Sequence, residues 1–268
     1  MNNNILEVKE LNISLQDDTS IVRNINFNVK TNRILGIIGE SGSGKTMISK
    51  SIMRLLNTKK FHITGQVLFD GQDIYNISRK DMGKIRGRKL SLILQNPMTA
   101  FDPMSKIGSQ LIETLRVHFN ITKKEAYHKA IGTLRKMNIG REEEIMDNYP
   151  FTLSGGMLQR IMIALTIMLE SRLIIADEVT TAIDAFNKTK ILEEFKKLKG
   201  RGITMMVITH DFRVISALAD DIIVLKKGEI IESGNTYDIF NNPKHGYTRK
   251  LIEATNLIET TNLIGELA

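Results

Sequence analysis

The octapeptide GESGSGKT, Gly39 to Thr46, constrains this chain more than any other stretch. It satisfies the spacing G-x-x-x-x-G-K-[ST], which average composition produces in a chain of this length about once in a hundred cases. Immediately before it, RILGIIG is a continuous apolar run of the kind a buried parallel strand requires, and after it MISKSIMRLL has helical spacing. Strand, glycine loop and helix in that order predict a phosphate cradle. Gly39, Gly42 and Gly44 let the backbone turn tightly so that successive N–H groups, including those of Glu40, Ser41 and Ser43, converge on an anion at a helix N-terminus. Lys45 then neutralises the β and γ phosphates of a nucleotide, and Thr46 offers a hydroxyl to magnesium.

Three further strand-like runs end in polar residues that suit the same chemistry. RLIIADE ends in Asp177 and Glu178, two carboxylates that are costly at the end of a buried strand unless a cation or a reacting water uses them. Beside a phosphate cradle, Asp177 is the expected magnesium-shell ligand and Glu178 the base that polarises the attacking water. His210 in VITHD is a candidate for contacting the γ-phosphate or positioning that water. Gln95 in LILQNP is a candidate for sensing magnesium or water. In open α/β folds ligands bind beyond the carboxyl ends of the parallel strands, where all four polar ends are expected.

The remaining sequence sets the frame. Segments around Ile5–Leu15 and Ile21–Val29 alternate as strands, and QVLFDG, LSLILQ, ITMMVITH, DIIVLKKG and EIIESG add more. Residues 96–171 instead carry helical periodicity in SKIGSQLIETLRVHF, KKEAYHKAIGTLRKMNI and MLQRIMIALTIML, which predicts a helical insertion in an α/β core. The tail TNLIETTNLIGELA reads as an amphipathic helix. An apolar share of 42% suffices for a buried core, and the absence of Cys excludes disulfides and thiolate chemistry. The balance of 37 Lys and Arg against 30 Asp and Glu, net +7, favours an acidic partner without choosing one. Its densest basic run, SRKDMGKIRGRK at 78–89, lacks aromatics for base stacking and reads as a solvated face, so no nucleic-acid partner is expected. No run reaches the roughly 20 apolar residues of a membrane span and no signal pattern opens the chain, so it is expected to be soluble or peripheral through a partner.

A second anion-binding pattern, LSGGMLQR at 153–160, opens a predicted helix with a Ser and two glycines. Together with GESGSGKT, LILQNP, LIIADE, TTAID and ITHD, in that order and rough spacing, it resembles the ATP-binding cassette (ABC) ATPases over nearly the whole chain. The resemblance implies an α/β P-loop NTPase fold: an ABC ATPase core with a mixed sheet and an antiparallel β subdomain over residues 1–95 and 161–268, and an inserted α-helical subdomain over 96–160. It implies ATP and Mg2+ as ligands and hydrolysis as the reaction. Two such cassettes pack head to tail, so Ser154, Gly155 and Gly156 are expected to cradle the γ-phosphate held by a partner's P-loop, and Asp184 to lie in the loop that links the two sites.

QNPMTAFDPMSKIGSQLIE, NYPFTLSGGMLQRIMIAL and NNPKHGYTRKLIEA further resemble importers of oligopeptides, dipeptides, nickel and metal-chelating opines. Met157, where most cassettes have Gln, and the short tail without Cys resemble the nickel and opine-metallophore branch. This implies two membrane permease subunits docked near residues 96–160, an extracellular solute-binding protein, a second and different cassette making a heterodimer, and a peripheral place on the cytoplasmic face of the membrane. Competing classes are an oligopeptide or dipeptide import ATPase, a non-transport ABC ATPase of nucleic acid or ribosomes, and a P-loop kinase. The first keeps the mechanism; the second usually carries two cassettes in one chain or a long coiled-coil insertion, and one P-loop without heptads provides neither; the third leaves LSGGMLQR without a task. Two departures stand out. Leu15 occupies the position where most cassettes stack an aromatic on adenine, and Val179 replaces the usual Pro after Glu178, so the loop carrying Glu178 is expected to be less rigid and hydrolysis slow.

Overall fold

The computed structural model describes residues 3–137, 139–179 and 185–254. In chain order the elements are β1 (Asn4–Leu15), β2 (Ser20–Lys30), β3 (Ile34–Ile38), α1 (Lys45–Ile52), β4 (Phe61–Phe69), β5 (Gln72–Asp73), α2 (Arg79–Ile85) and β6 (Leu90–Ile93). Then come α3 (Ile107–His118), α4 (Lys123–Lys136), α5 (Glu142–Asp147), α6 (Gly155–Met168), β7 (Leu173–Asp177) and α7 (Ala185–Gly200). The order closes with β8 (Thr204–Thr209), α8 (Phe212–Leu218), β9 (Asp221–Lys226), β10 (Glu229–Asn235) and α9 (Thr236–Asn241), and residues 246–254 are helical. Two compact units result: one holds the residues up to Asn76 and those from Thr204 onward, and the other Ile77–Ile203. The boundaries drawn from motifs, at 95 and 161, both fall inside the second unit.

In the first unit β2, β1, β4 and β5 pair in that order as an antiparallel sheet. Alternation puts Val8, Ile13, Val22, Ile25, Phe27 and Val67 inside while their neighbours face out. The alternation is interrupted by register shifts in β1, where Glu10 takes φ 50°. Because of such an irregularity Ile5 and Leu6, consecutive in sequence, are both buried. Beside this sheet β3 lies parallel between β8 and β9, and β10 pairs antiparallel with β9. Every residue of β3 and of β8 is buried, as parallel strands covered on both faces demand. The Arg33 guanidinium grips Asp221 through two nitrogens, each 3.0 Å from a carboxylate oxygen, and holds the entrance of β3 to that of β9.

In the second unit β6 and β7 form a parallel pair with Leu90 opposite Leu173 and Ile93 opposite Ala176. The helical region follows its periodicity. α3 buries Ile107, Leu111 and Leu115; α4 buries Ala126, Ala130 and Leu134 and starts with a reciprocal cap in which Thr122 and Glu125 satisfy each other's backbone N–H. α6 is buried on nearly all sides. The basic run at 78–89 contains a helix absent from the sequence reading, α2, whose Met82 and Ile85 are buried while Arg79, Lys80 and Lys84 face solvent. Among the described residues no helix is long and apolar enough to cross a membrane. The expected tail helix at 255–268 lies outside the described residues.

Candidate functional site

In the first unit the predicted phosphate cradle joins β3 to α1. Gly44 caps α1 at φ 102°, a left-handed conformation that excludes most side chains, and so turns the chain abruptly into the helix. Gly39 is fixed by crowding instead: a Cβ there would lie 2.2 Å from the Leu225 carbonyl oxygen. A Cβ on Gly42 would meet nothing within 4 Å, leaving the mouth of the loop open. Lys45, only 4% exposed, folds back so that its ammonium donates to the carbonyls of Gly39 and Glu40, both at 2.8 Å. The buried Ser43 hydroxyl has no protein hydrogen-bond partner, although a polar group in that position is costly unless something polar meets it. An oriented buried cation, an open glycine mouth and an orphaned hydroxyl fit a polyphosphate. Glu40, Ser41 and Thr46 are exposed on the same loop.

His210 follows β8, parallel to β3, so it leaves the same end of that strand pair as the cradle, and it is exposed. Asp211 beside it caps α8 by accepting from the Arg213 N–H at 2.9 Å. One contact on the cradle has no counterpart in the motif reading. The Tyr247 hydroxyl accepts a hydrogen bond from the Glu40 backbone N–H at 3.3 Å. In the sequence Tyr247 lies in HGYTRKLIEA, a stretch that resembles an importer subfamily and carries no nucleotide motif.

In the second unit Asp177 and Glu178 end β7, and Gln95 follows β6, the parallel neighbour. Asp177 is buried while Glu178 is half-buried. The Gln95 amide Nε2 donates to a Glu178 carboxylate oxygen at 3.5 Å, a weak bond at the limit of useful length. Glu178 stands at φ 50°, which a non-glycine residue adopts only when its surroundings impose it. Val179 next to it is 2% exposed, so packing anchors this turn where a proline ring was absent from the sequence. Ser154 caps α6: its hydroxyl oxygen accepts from the Met157 N–H at 3.2 Å, a bond that does not use its own O–H as donor. Ser154 and Gly155 are exposed, and a Cβ on Gly155 would meet nothing within 4 Å. Asp184 and the rest of TTAID lie outside the described residues.

The family model described as ABC transporter matches residues 22–181. The chain belongs to that family. It is an ATPase whose hydrolysis is coupled to transport. Two relatives bracket its similarities. It is 39% identical over 254 residues to the probable D,D-dipeptide transport ATP-binding protein DdpD of Escherichia coli strain K12, covering 93% of this chain and 77% of that protein. It is 38% identical over 256 residues to the metal-staphylopine import system ATP-binding protein CntD of Staphylococcus aureus strain NCTC 8325, covering 95% and 94%. Among solved structures, a dimeric post-hydrolysis state of the ATP-binding cassette MJ0796 bound to ADP and Pi matches this ABC ATPase with a TM-score of 0.76 at 26% identity, over 86% of this chain and 98% of that one. The cassette cbiO1 from Clostridium perfringens, part of the ABC transporter complex cbiONQ, matches with a TM-score of 0.76 at 25% identity, over 96% and 99%.

Proposed function

We propose that this ATPase powers the import of nickel or of metal–metallophore complexes of the opine type through ATP-driven dimerisation of two cassettes. The observation that carries the reading is the similarity to the metal-staphylopine import protein over nearly the full length of both chains, joined to Met157 at the position where most cassettes have Gln. The similarity to the D,D-dipeptide transport protein supports a second reading, import of dipeptides or oligopeptides by the same mechanism.

Each side chain has a task in that cycle. Lys45 exchanges its bonds to the Gly39 and Glu40 carbonyls for the β and γ phosphates of ATP, guided by the glycine loop. Thr46, Asp177 and Gln95 are an all-oxygen donor set suited to Mg2+, which when bound neutralises phosphate charge. Glu178 takes the proton of the attacking water, Gln95 orients Glu178, and His210 contacts the γ-phosphate or aligns that water. Ser154, Gly155 and Gly156 complete the site of a partner cassette, with Asp184 linking the two. The dimeric state of the MJ0796 cassette supports that arrangement.

The partners follow from the same reading: two permease subunits, an extracellular solute-binding protein and a second, different cassette, with this chain peripheral on the cytoplasmic face of the membrane. Uptake in cells lacking the gene tests it. Radioactive nickel is supplied with and without a chelating metallophore, and a labelled dipeptide separately, after complementation with wild type or Glu178→Gln. Metal uptake alone is expected to fail and to be restored only by wild type, since loss of a general base costs about 10²–10⁴ in turnover. Failure of peptide uptake instead would overturn the metal assignment and leave the ATPase mechanism standing.

A further inference from the structure

The stretch NNPKHGYTRKLIEA carries no part of the nucleotide motifs, yet the structure ties it to the cradle. The chain entering the helical residues 246–254 is fastened to β10. The Glu232 carboxylate accepts from the Lys244 N–H at 2.7 Å and the His245 N–H at 3.1 Å, and His245 Nδ1 accepts from the Tyr247 N–H at 3.0 Å. The Lys226 ammonium at the end of β9 sits 4.5 Å from the Tyr247 ring centroid. Backbone, ring and hydroxyl of Tyr247 are therefore each held by a different element.

The hydroxyl meets the Glu40 N–H, and the Gly39 C=O belongs to the same peptide unit as that N–H. Because a peptide is planar, its two polar ends turn together. At the far end the Gly39 oxygen holds the Lys45 ammonium at 2.8 Å. Tyr247 thus grips one end of a rigid plate whose other end aims Lys45. A chain of hydrogen bonds running hydroxyl, amide, carbonyl, ammonium also polarises each link. Burial holds the Tyr247 phenol above its ordinary pKa, and the neighbouring Glu40 carboxylate acts in the same direction, so the group stays a neutral hydroxyl across the physiological range.

We propose that Tyr247 is a positioning residue for nucleotide binding, setting the plane of the Gly39–Glu40 peptide and through it the direction of Lys45. The C-terminal segment that marks this branch of importers is in this reading a strap on the P-loop. The proposal rests on Gly39–Thr46 as the nucleotide cradle.

The test is titration of the full chain with a fluorescent ATP analogue. Tyr247→Phe keeps the ring and its Lys226 contact and removes the hydroxyl, with both the bond from the Glu40 N–H and the contact with the Glu40 side chain. Its Kd is expected to rise about three- to tenfold, the range for one hydrogen bond, with the melting temperature within about 2 °C of wild type. Competition by AMP, which lacks the phosphates that Lys45 meets, is expected to be unchanged within about twofold, as is any effect of Tyr247→Phe in a Lys45→Ala background. A purely structural role would weaken ATP and AMP alike. An unchanged Kd for ATP, an equal loss for AMP, or the same loss without Lys45 overturns the proposal. Absence of saturable binding by wild type would overturn the cradle itself, whereas wild-type binding with an indifferent Tyr247→Phe overturns only the strap.

Discussion

Glu178 occupies a left-handed backbone conformation at the end of a buried strand, a state that costs about 1–2 kcal/mol for an L-residue. The neighbouring Val179 allows it, since a proline at 179 would push Glu178 toward extended φ and ψ. Val179 in turn is clamped by burial. Substituting Val179→Pro therefore exchanges one constraint for another. Phosphate release by the variant is expected to rise by up to about tenfold, the equivalent of 1.4 kcal/mol off the barrier, as the ring holds Glu178 in the extended conformation in place of the strained left-handed one. Its melting temperature is expected to fall because the buried side chain is lost. Unchanged turnover would refute the argument that the missing proline slows the enzyme. At this scale the sequence made Gly39, Lys45, Asp177 and Glu178 legible because the chemistry needs those residue types at that spacing. It concealed the φ of Glu178, the burial of Val179 and the Tyr247 contact, since none of these follows from neighbours in the chain.

α6 shows how an element can serve function at one end and packing along the rest. Its first turn presents the Ser154 cap and an open Gly155, while its body is buried on nearly every side. Gln159, one turn in, is 0% exposed, and neither its amide oxygen nor its amide nitrogen meets a protein partner. An unmet buried amide destabilises by about 1–3 kcal/mol, so Gln159→Met, similar in volume and free of that cost, is expected to raise the melting temperature by several degrees. A lower melting temperature in a thermal scan would show that the amide is satisfied and the expectation wrong. Helical period predicted α3, α4 and α6, and apolar runs predicted β3, β7 and β8. α2 stayed hidden because a short helix with only Met82 and Ile85 inside leaves too brief a period to stand out from its charges. The bulges of β1 stayed hidden for a related reason: an inserted residue shifts the alternation without changing the composition.

At the scale of the whole molecule, the second unit carries exposed apolar side chains that its own fold does not use. Met104 is 82% exposed and Phe151 62%, and Phe151 stacks on Tyr149 with ring centroids 5.5 Å apart. Exposed apolar groups of this size suit a protein contact, and the permease subunits proposed above are its expected occupants. Met104→Ser with Phe151→Ser is expected to leave the melting temperature and basal phosphate release of the isolated chain near wild type while reducing co-purification with the permeases at least tenfold, as loss of two interface anchors does. Retention of the permeases by the double variant would place the docking surface elsewhere. The sequence by itself carried the proposed chemistry of this protein, because the GESGSGKT loop, the strand-end carboxylate pair and the Ser-Gly-Gly helix opening are local patterns of residue type and spacing. It also marked the longer strands and helices, because burial imposes periods of 2 and 3.6 on them, but not the short α2. Only the tertiary structure decided which distant residues hold those patterns in place: the Leu225 carbonyl that makes Gly39 obligatory, the Glu232 carboxylate that fastens the turn before Tyr247, and the Tyr247 hydroxyl on the Glu40 amide. These contacts join residues up to 207 positions apart, and no local period or spacing encodes a meeting that exists only once the chain has packed.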